Sequence, residues 1–233
     1  MLYVCHRDTA RVSWSKLVEE KIIMQVTPYK THKIQPHEDL FAILDRYLPT
    51  LEEKNIVALA SKIVGICEGR VVKKISDEQK DILTKQEAEW YLPRKFNQYG
   101  SFMITINQNI MVASAGIDES NSNGYLSLWP KNPQRSVNAI RSYLLKKYQL
   151  KELGVILTDS RLTPLRWGVT GTSIAHSGFL ALNNYIGKPD IYGKLLHAAK
   201  ANLADSLATA AVTEMGEGNE QTPLVVITDT KLV

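Results

Sequence analysis

Short apolar runs recur along the 233-residue chain and predict β-strands. They cover residues 21–26, 55–60, 102–106, 110–113 and 223–228. The polar residues between the third and fourth runs, Asn-Gln-Asn, predict a hairpin. A further run, Val155–Leu157, ends in Thr158-Asp159-Ser160, where we expect a buried strand to leave the core.

Apolar residues spaced by three and four positions predict helices over residues 37–48, 76–91, 136–148 and 190–215. Acidic residues in the first turn of the first helix would complement the helix dipole. Ser76-Asp77-Glu78-Gln79 matches a capping box at the start of the second helix. Asp190 is placed to cap the last helix, and Gly216 is placed to end it.

Composition narrows the class of protein without naming a function. A hydrophobic content of 44% and a net charge of +4 are typical of a globular chain with no strongly basic face, so nucleic-acid binding is not expected. Two distant cysteines and the lack of a long apolar stretch or a secretory signal predict a cytoplasmic protein that does not span a membrane.

Three oxygen-rich clusters follow apolar segments, at residues 118–121, 158–160 and 217–221. Carboxylate and hydroxyl oxygens suit Mg²⁺ or Mn²⁺, and Mg²⁺ needs only one or two protein carboxylates when phosphates and waters complete its shell. Each cluster taken alone is more typical of a solvated loop than of a functional site. The common phosphate-loop and dinucleotide-binding signatures are absent from the sequence, so a nucleotide site here would be of a less common kind.

Five blocks, in order along the chain, resemble the coenzyme F420-0:γ-glutamyl ligase family. They are Glu68-Gly69-Arg70, the A-G-I-D-x-S-N block at 115–121, Thr158-Asp159-Ser160, the I-G-x-x-D-x-Y-G block at 186–193, and Met215–Gly218. The resemblance covers residues 22–233 as one ligase-like domain and leaves 1–21 as an N-terminal extension. It implies an α+β fold of mixed, mainly antiparallel sheets with helices, in an intertwined homodimer.

The activity implied by the resemblance is GTP-dependent γ-glutamyl ligation, with ATP as the alternative nucleotide. L-glutamate would be joined to the carboxylate of F420-0 or a related small-molecule acceptor through an acyl phosphate, with Mg²⁺ or Mn²⁺ bound. Metal ligands would be Asp118, Asp159, Ser160 and Glu217. Catalytic roles would fall to Asp118, Asp159 and Arg166. Nucleotide contacts would come from Pro28, Tyr29, Lys30, Thr31, Ser61, Lys62, Asn121, Gly216, Gly218 and Gln221.

Some positions depart from the family pattern. Ile66 stands where a lysine is common, Thr31 where a glycine is common, and Thr163 where an arginine is usual. Lys62 could supply the missing point charge for phosphate. These departures keep open a folate-type glutamyl ligase and a non-catalytic ligand-binding homologue, with a metal-dependent phosphohydrolase as a third alternative.

Overall fold

The computed structural model describes residues 24–97 and 102–230. Its helices are α1 Leu40–Tyr47, α2 Ser61–Cys67, α3 Asp77–Glu87, α4 Pro133–Tyr148 and α5 Leu203–Met215. Its strands are β1 Gln25–Tyr29, β2 Ile56–Ala60, β3 Val71–Lys73, β4 Trp90–Leu92, β5 Ile104–Asn107, β6 Ile110–Ala113, β7 Tyr125–Ser127, β8 Gly154–Leu162, β9 Val169–Ser177, β10 Leu182–Asn184, β11 Lys200–Asn202 and β12 Leu224–Thr228. The proposed extension at 1–21 lies outside the described residues.

The central sheet has five strands in the order β1-β12-β2-β8-β9. Only β2 and β8 are parallel within it, and the other neighbours are antiparallel. The smaller sheets β3–β7, β4–β5–β6 and β10–β11 are antiparallel as well. The expected α+β class with mainly antiparallel sheets is therefore confirmed.

Alternation along the central strands sends side chains to two separate cores, because successive residues of a strand face opposite sides of a sheet. On one face, Val57 and Leu157 pack in a cluster with residues of α1, α2 and α4. On the other, Ala58 and Ile156 pack against apolar residues of α5, among them Ala208. The sheet is thus covered by helices on both faces.

Several predicted elements have the right place and type. The run at 55–60 forms β2, the hairpin at 102–113 forms β5 and β6, and the run at 223–228 forms β12. The helix predicted at 136–148 is α4, which begins three residues earlier at Pro133. The strand predicted at 21–26 overlaps β1, although its first residues lie outside the described ranges.

The helix predicted at 76–91 is shorter in the structure. Ser76 caps α3 by accepting from the Gln79 amide at 3.2 Å, as the capping box implies. However, α3 ends at Glu87 instead of continuing to Tyr91. The segment after it, β4, pairs with β5, so tertiary strand pairing overrides the helical pattern.

The long helix predicted from Asp190 is wrong in its first half. The Asp190 carboxylate accepts from the amides of Tyr192 and Lys194, at 2.8 and 2.9 Å, and holds a turn there. Helix α5 begins only at Leu203, because the Asn202 side chain accepts from the Asp205 amide. Gly216 does end the helix, as predicted, with φ of 75°.

Two smaller expectations also fail. The acidic residues predicted for the first turn of α1 precede it, and Asp39 is its N-cap, accepting from the Phe41 amide at 2.9 Å. Residues 158–160 do not leave the sheet, because β8 continues to Leu162 in antiparallel pairing with β9, with a β-bulge after Leu157.

No helix within the described ranges is long and apolar enough to cross a membrane.

Candidate active site

Strand order brings distant polar segments to one edge of the central sheet. Strands β2 and β8 are parallel, and Ala60 at the end of β2 is the partner of Thr158 in β8. The next residues of the two segments, Ser61 and Asp159, therefore lie side by side. Helix α2 starts at Ser61, so Lys62 lies in its first turn.

The outer strands of the sheet add two more segments at the same edge. Strand β12 runs antiparallel to β2, with Leu224 beside Leu59, so the loop before β12 lies at this edge. Tyr29 pairs with Leu224 at the end of β1, which brings residues 28–31 to the same place. The two segments are joined by hydrogen bonds: Thr31 N donates to Gln221 O at 2.9 Å, and Gln221 Nε2 donates to Thr31 O at 3.0 Å.

Asp118 reaches this edge from the smaller sheets. Its backbone pairs with Ser127, with Asp118 N donating to Ser127 O at 3.0 Å and Ser127 N donating back at 2.8 Å. Its carboxylate accepts from the amide and hydroxyl of Ser120, at 2.8 and 2.7 Å, and forms an ion pair with Lys62. The ion pair therefore connects the Asp118 loop to α2.

A small pocket, here called the carboxylate pocket, forms where these segments meet. It is lined by Ser61, Lys62, Gly116, Asp118, Ser127, Leu128, Trp129 and Asp159. The two aspartates expected to share a site thus line one pocket although 41 positions separate them in sequence.

The Asp159 carboxylate lies in an environment that disfavours its charge. Burial among protein atoms, with a contribution from the charge of Asp118, raises the pKa of Asp159 to about 6. The Trp129 indole N–H and the Ser160 amide donate to the carboxylate and act in the opposite direction, as does the Lys62 charge. At neutral pH the pocket therefore holds a carboxylate whose charge is incompletely compensated.

Asp118 behaves differently in the same pocket. Burial works against its ionisation, but the Lys62 charge and the donors of Lys62 and Ser120 prevail, so the pKa of Asp118 is lowered. Asp118 is therefore ionised at neutral pH. Two carboxylates line this pocket with the ammonium of Lys62, so the binding of a further positive charge there would be favourable.

Other predicted site residues surround the carboxylate pocket in pairs. The Ser160 hydroxyl donates to the Glu217 carboxylate. Asn121 Nδ2 donates to Gly218 O at 2.7 Å, which ties the 118–121 cluster to the loop after α5. Gly216 caps α5 and begins that loop. All three oxygen-rich clusters of the sequence are thus connected through described contacts.

Arg166 is the predicted catalytic residue that the structure does not bring to the carboxylate pocket. It lies at the exposed tip of the β8–β9 hairpin, where its amide donates to Thr163 O at 3.2 Å. Pro28 and Tyr29 are in β1, and Lys30 follows them with an exposed side chain. The roles assigned to these residues by resemblance stay predictions.

Four residues that line the carboxylate pocket were not predicted from the sequence: Gly116, Ser127, Leu128 and Trp129. Trp129 is buried, and a buried indole N–H needs an acceptor, which Asp159 supplies. Gly116 has φ of 80°, and a Cβ there would overlap the Trp129 ring, so the position requires glycine. The signal available in the sequence was the Gly within the A-G-I-D block and the Trp-Pro pair after a short strand.

The donor set fits a divalent cation that binds oxygen. Asp118 and Asp159 offer carboxylates on one pocket, and Ser160 and Glu217 offer oxygens beside it. No group of three or more His, Cys, Asp or Glu side chains in the described ranges is arranged to hold a metal by itself. Carboxylate and hydroxyl oxygens are the ligand types that Mg²⁺ and Mn²⁺ prefer in proteins.

The fold and the pocket define an α+β protein with paired carboxylates at one edge of a mainly antiparallel sheet. A family model described as F420-0:Gamma-glutamyl ligase matches residues 28–229. The chain therefore belongs to the F420-0:Gamma-glutamyl ligase family.

Curated relatives agree with this membership. The Coenzyme F420:L-glutamate ligase of Methanococcus maripaludis strain S2 is 29% identical over 226 residues, covering 91% of this chain and 90% of the relative. The protein of the same name from Methanopyrus kandleri is 32% identical over 208 residues, covering 83% and 82%. That from Methanosarcina barkeri strain Fusaro is 33% identical over 207 residues, covering 83% and 80%.

Proposed function

We propose that this chain is a nucleotide- and divalent-metal-dependent ligase that joins L-glutamate to the carboxylate of F420-0 or a closely related acceptor. The observation that carries the proposal is the meeting of Asp118 and Asp159 in one pocket, in a chain of this family. The charge of Asp159 is incompletely compensated, and such a carboxylate has little packing value. Its convergence with Asp118 therefore favours a catalytic role over a purely structural one.

In this proposal different residues bind the metal ions and the nucleotide. Asp118 and Asp159 would hold one divalent ion, with Ser160 and Glu217 helping to hold a second. Such ions supply positive charge to the phosphoryl oxygens of the nucleotide, and that charge is a large part of phosphoryl-transfer catalysis. Residues 28–31 and the loop from Gly216 to Gln221 would hold the nucleotide itself.

Lys62 has two tasks in this scheme. In the structure its ammonium pairs with Asp118 and donates to Ser120 O and Oγ, at 3.1 and 3.2 Å. A cation bound at Asp118 would take over that compensation and free Lys62 to face a phosphate. This would supply the charge that the family pattern places at position 66, where Ile66 is buried in the apolar packing of α2.

The proposed reaction forms one amide bond at the expense of one phosphoanhydride bond. The acceptor carboxylate oxygen attacks the γ-phosphorus of GTP or ATP, which releases the nucleoside diphosphate and leaves an acyl phosphate. The glutamate amine then attacks the acyl carbon, phosphate leaves, and the amine proton passes to solvent or a nearby base.

Mass spectrometry of the acceptor tests this proposal. The chain is incubated with GTP or ATP, Mg²⁺ or Mn²⁺, L-glutamate, and either F420-0 or a folate. Gain of one glutamyl unit on F420-0 supports the proposal. Gain only on the folate assigns the folate-type alternative, nucleotide loss without ligation assigns a phosphohydrolase, and neither change assigns a non-catalytic binder.

A neighbouring pair of carboxylates provides matched variants for the same assay. Asp118→Asn should lower ligation at least a hundredfold, because it removes a carboxylate of the carboxylate pocket and such contacts typically contribute several kcal/mol. Glu119→Gln changes the next residue, which pairs with Lys74 and does not line the pocket, and should leave activity within about twofold. Equal activity of both variants would contradict the site assignment.

We further propose a homodimer, formed through the segment from the β8–β9 hairpin to β11. Leu165, Leu180, Ile191 and Tyr192 have exposed fractions of 103%, 79%, 91% and 89%, which is unusual for large apolar side chains grouped in one region of the chain. Light scattering after gel filtration should give twice the chain mass. The double change Leu180→Ser with Ile191→Ser should give monomer, whereas a monomeric wild type would refute the proposal.

A further inference from the structure

A second and larger cavity lies at the C-terminal end of α2, whereas the carboxylate pocket lies at its start. It occupies about 520 Å³ between the beginning of α1, the end of α2 and the first half of α4, and is here called the α4 pocket. It shares no lining residue with the carboxylate pocket. Its volume falls within the range of small-molecule sites, about 300–1,000 Å³.

The floor of the α4 pocket is apolar. Phe41 from α1, Val64 from α2, and Ala139 and Ile140 from α4 contribute to it. Val64 and Ile140 belong to the main core, so the floor is a fixed surface and does not depend on mobile surface side chains. A ligand would gain by covering this surface with an apolar group.

Two basic side chains belong to the lining of the α4 pocket. Lys131 and Arg135 line it at the beginning of α4, and both are exposed. Neither side chain has a hydrogen-bond or ion-pair partner among the described residues, and the two backbone amides donate to Glu68 and to the N-cap Asn132. The ammonium and guanidinium groups are therefore available to an anionic group.

Three carboxylates at the beginning of α1 and the end of α2 also line the pocket, Glu38, Asp39 and Glu68. Glu38 is engaged, because its Oε2 contacts His32 Nε2 at 2.7 Å and its Oε1 accepts from Gln35 N at 2.5 Å. Glu68 accepts from Lys131 N at 3.1 Å and from Ser136 Oγ at 2.6 Å, so both its oxygens are engaged. Asp39 uses Oδ1 to cap α1, while Oδ2 has no hydrogen-bond partner within the described ranges. Burial and the charges of Glu38, Asp39 and Glu68 raise the pKa of Cys67 to about 12, so the thiol between them stays neutral.

We propose that the α4 pocket binds a small zwitterion with an apolar side chain, the chemistry of an apolar α-amino acid. Its carboxylate would lie against Arg135 and Lys131, its ammonium against Asp39, and its side chain on the apolar floor. Charges of both signs line the pocket, so a singly charged ligand would leave either the basic groups or the Asp39 carboxylate unmatched, whereas a ligand that carries both charges can pair with each. This site is separate from the proposed ligation chemistry.

Binding of L-phenylalanine, measured by ligand-observed NMR without nucleotide or metal, tests the proposal. Two analogues, 3-phenylpropionate and 2-phenylethylamine, each lack one of its charges. We expect L-phenylalanine to bind at least about fivefold more tightly than either, which corresponds to about 1 kcal/mol for one exposed charge contact.

Variants locate the binding to the α4 pocket. Arg135→Gln and Asp39→Asn should each weaken L-phenylalanine about fivefold. Asparagine at position 39 retains the helix cap, so the second change removes charge and not fold. Ala139→Phe should abolish binding by filling the floor.

Matched controls lie outside the pocket. Lys146→Gln and Ser142→Phe change exposed residues of α4 that do not line it, and both should bind like the wild type. Absence of binding overturns the proposal. So does equal binding of either singly charged analogue, or binding that survives Ala139→Phe.

Discussion

The partly buried carboxylate of Asp159 should reduce the stability of the folded chain in a way that depends on pH. Its pKa is raised from the usual 3.8 to about 6, so between these values the native state keeps a proton that the unfolded chain has lost. The unfolding free energy therefore falls as pH rises through this interval and is level above it. Over the whole interval the unfolding free energy falls by about 3 kcal/mol.

Asp159→Asn removes this pH dependence. The amide oxygen can accept from either the Trp129 indole or the Ser160 amide but not both, so the change costs about 1 kcal/mol at every pH. We expect the variant to be less stable than the wild type by about 1 kcal/mol near pH 4 and more stable by about 2 kcal/mol near pH 8. Ligation should be lost in the same variant.

Urea unfolding with EDTA present, at several pH values between about 4 and 8, gives both free energies. Asp229→Asn is the control, because it replaces an exposed aspartate and should follow the wild type at each pH. If the difference in unfolding free energy between the Asp159 variant and the wild type is the same at both ends of the pH range, the pKa of Asp159 is not raised and the reasoning fails.

Three further changes test the parts of the fold that support the site. Gly116→Ala should lower the melting temperature and the activity together, since a Cβ there overlaps Trp129 at a φ of 80°; unchanged tryptophan fluorescence and activity would contradict this. Leu44→Ala should cost about 2–5 kcal/mol in urea unfolding, because Leu44 is fully buried, and a cost below about 1 kcal/mol would argue against its place in the core. Asn202→Ala should cost about 1 kcal/mol through loss of the α5 cap, with Asn202→Asp as the conservative control; equal stability of all three proteins would show that α5 begins elsewhere.

Local patterns along the chain predicted much of the secondary structure. The hairpin at 102–113 and the strands β2 and β12 follow from apolar runs bounded by polar residues, and the end of α5 follows from Gly216. These features depend on residues that are close in sequence, so they can be predicted without knowledge of the tertiary structure. The resemblance of five motifs likewise identified the family, which the match over residues 28–229 confirms.

Other features depended on strand pairing, or on side-chain contacts that the spacing of apolar residues does not reveal. β4 is a strand because it pairs with β5, and the segment at 190–202 is not helical because Asp190 holds a turn and β11 pairs with β10. Helical spacing of apolar residues is a weak preference that such pairing overrides. The prediction of one long helix there failed for that reason.

The carboxylate pocket itself was decided by tertiary structure. The sequence determined which residue types carry chemistry, since Asp118 and Asp159 stand in recognisable motifs. Only the parallel pairing of β2 with β8 sets Asp159 beside Lys62, and only the bridge between Asp118 and Ser127 brings the second carboxylate there. The raised pKa of Asp159 arises from that enclosure, because desolvation depends on the atoms packed around a group and not on its neighbours in sequence.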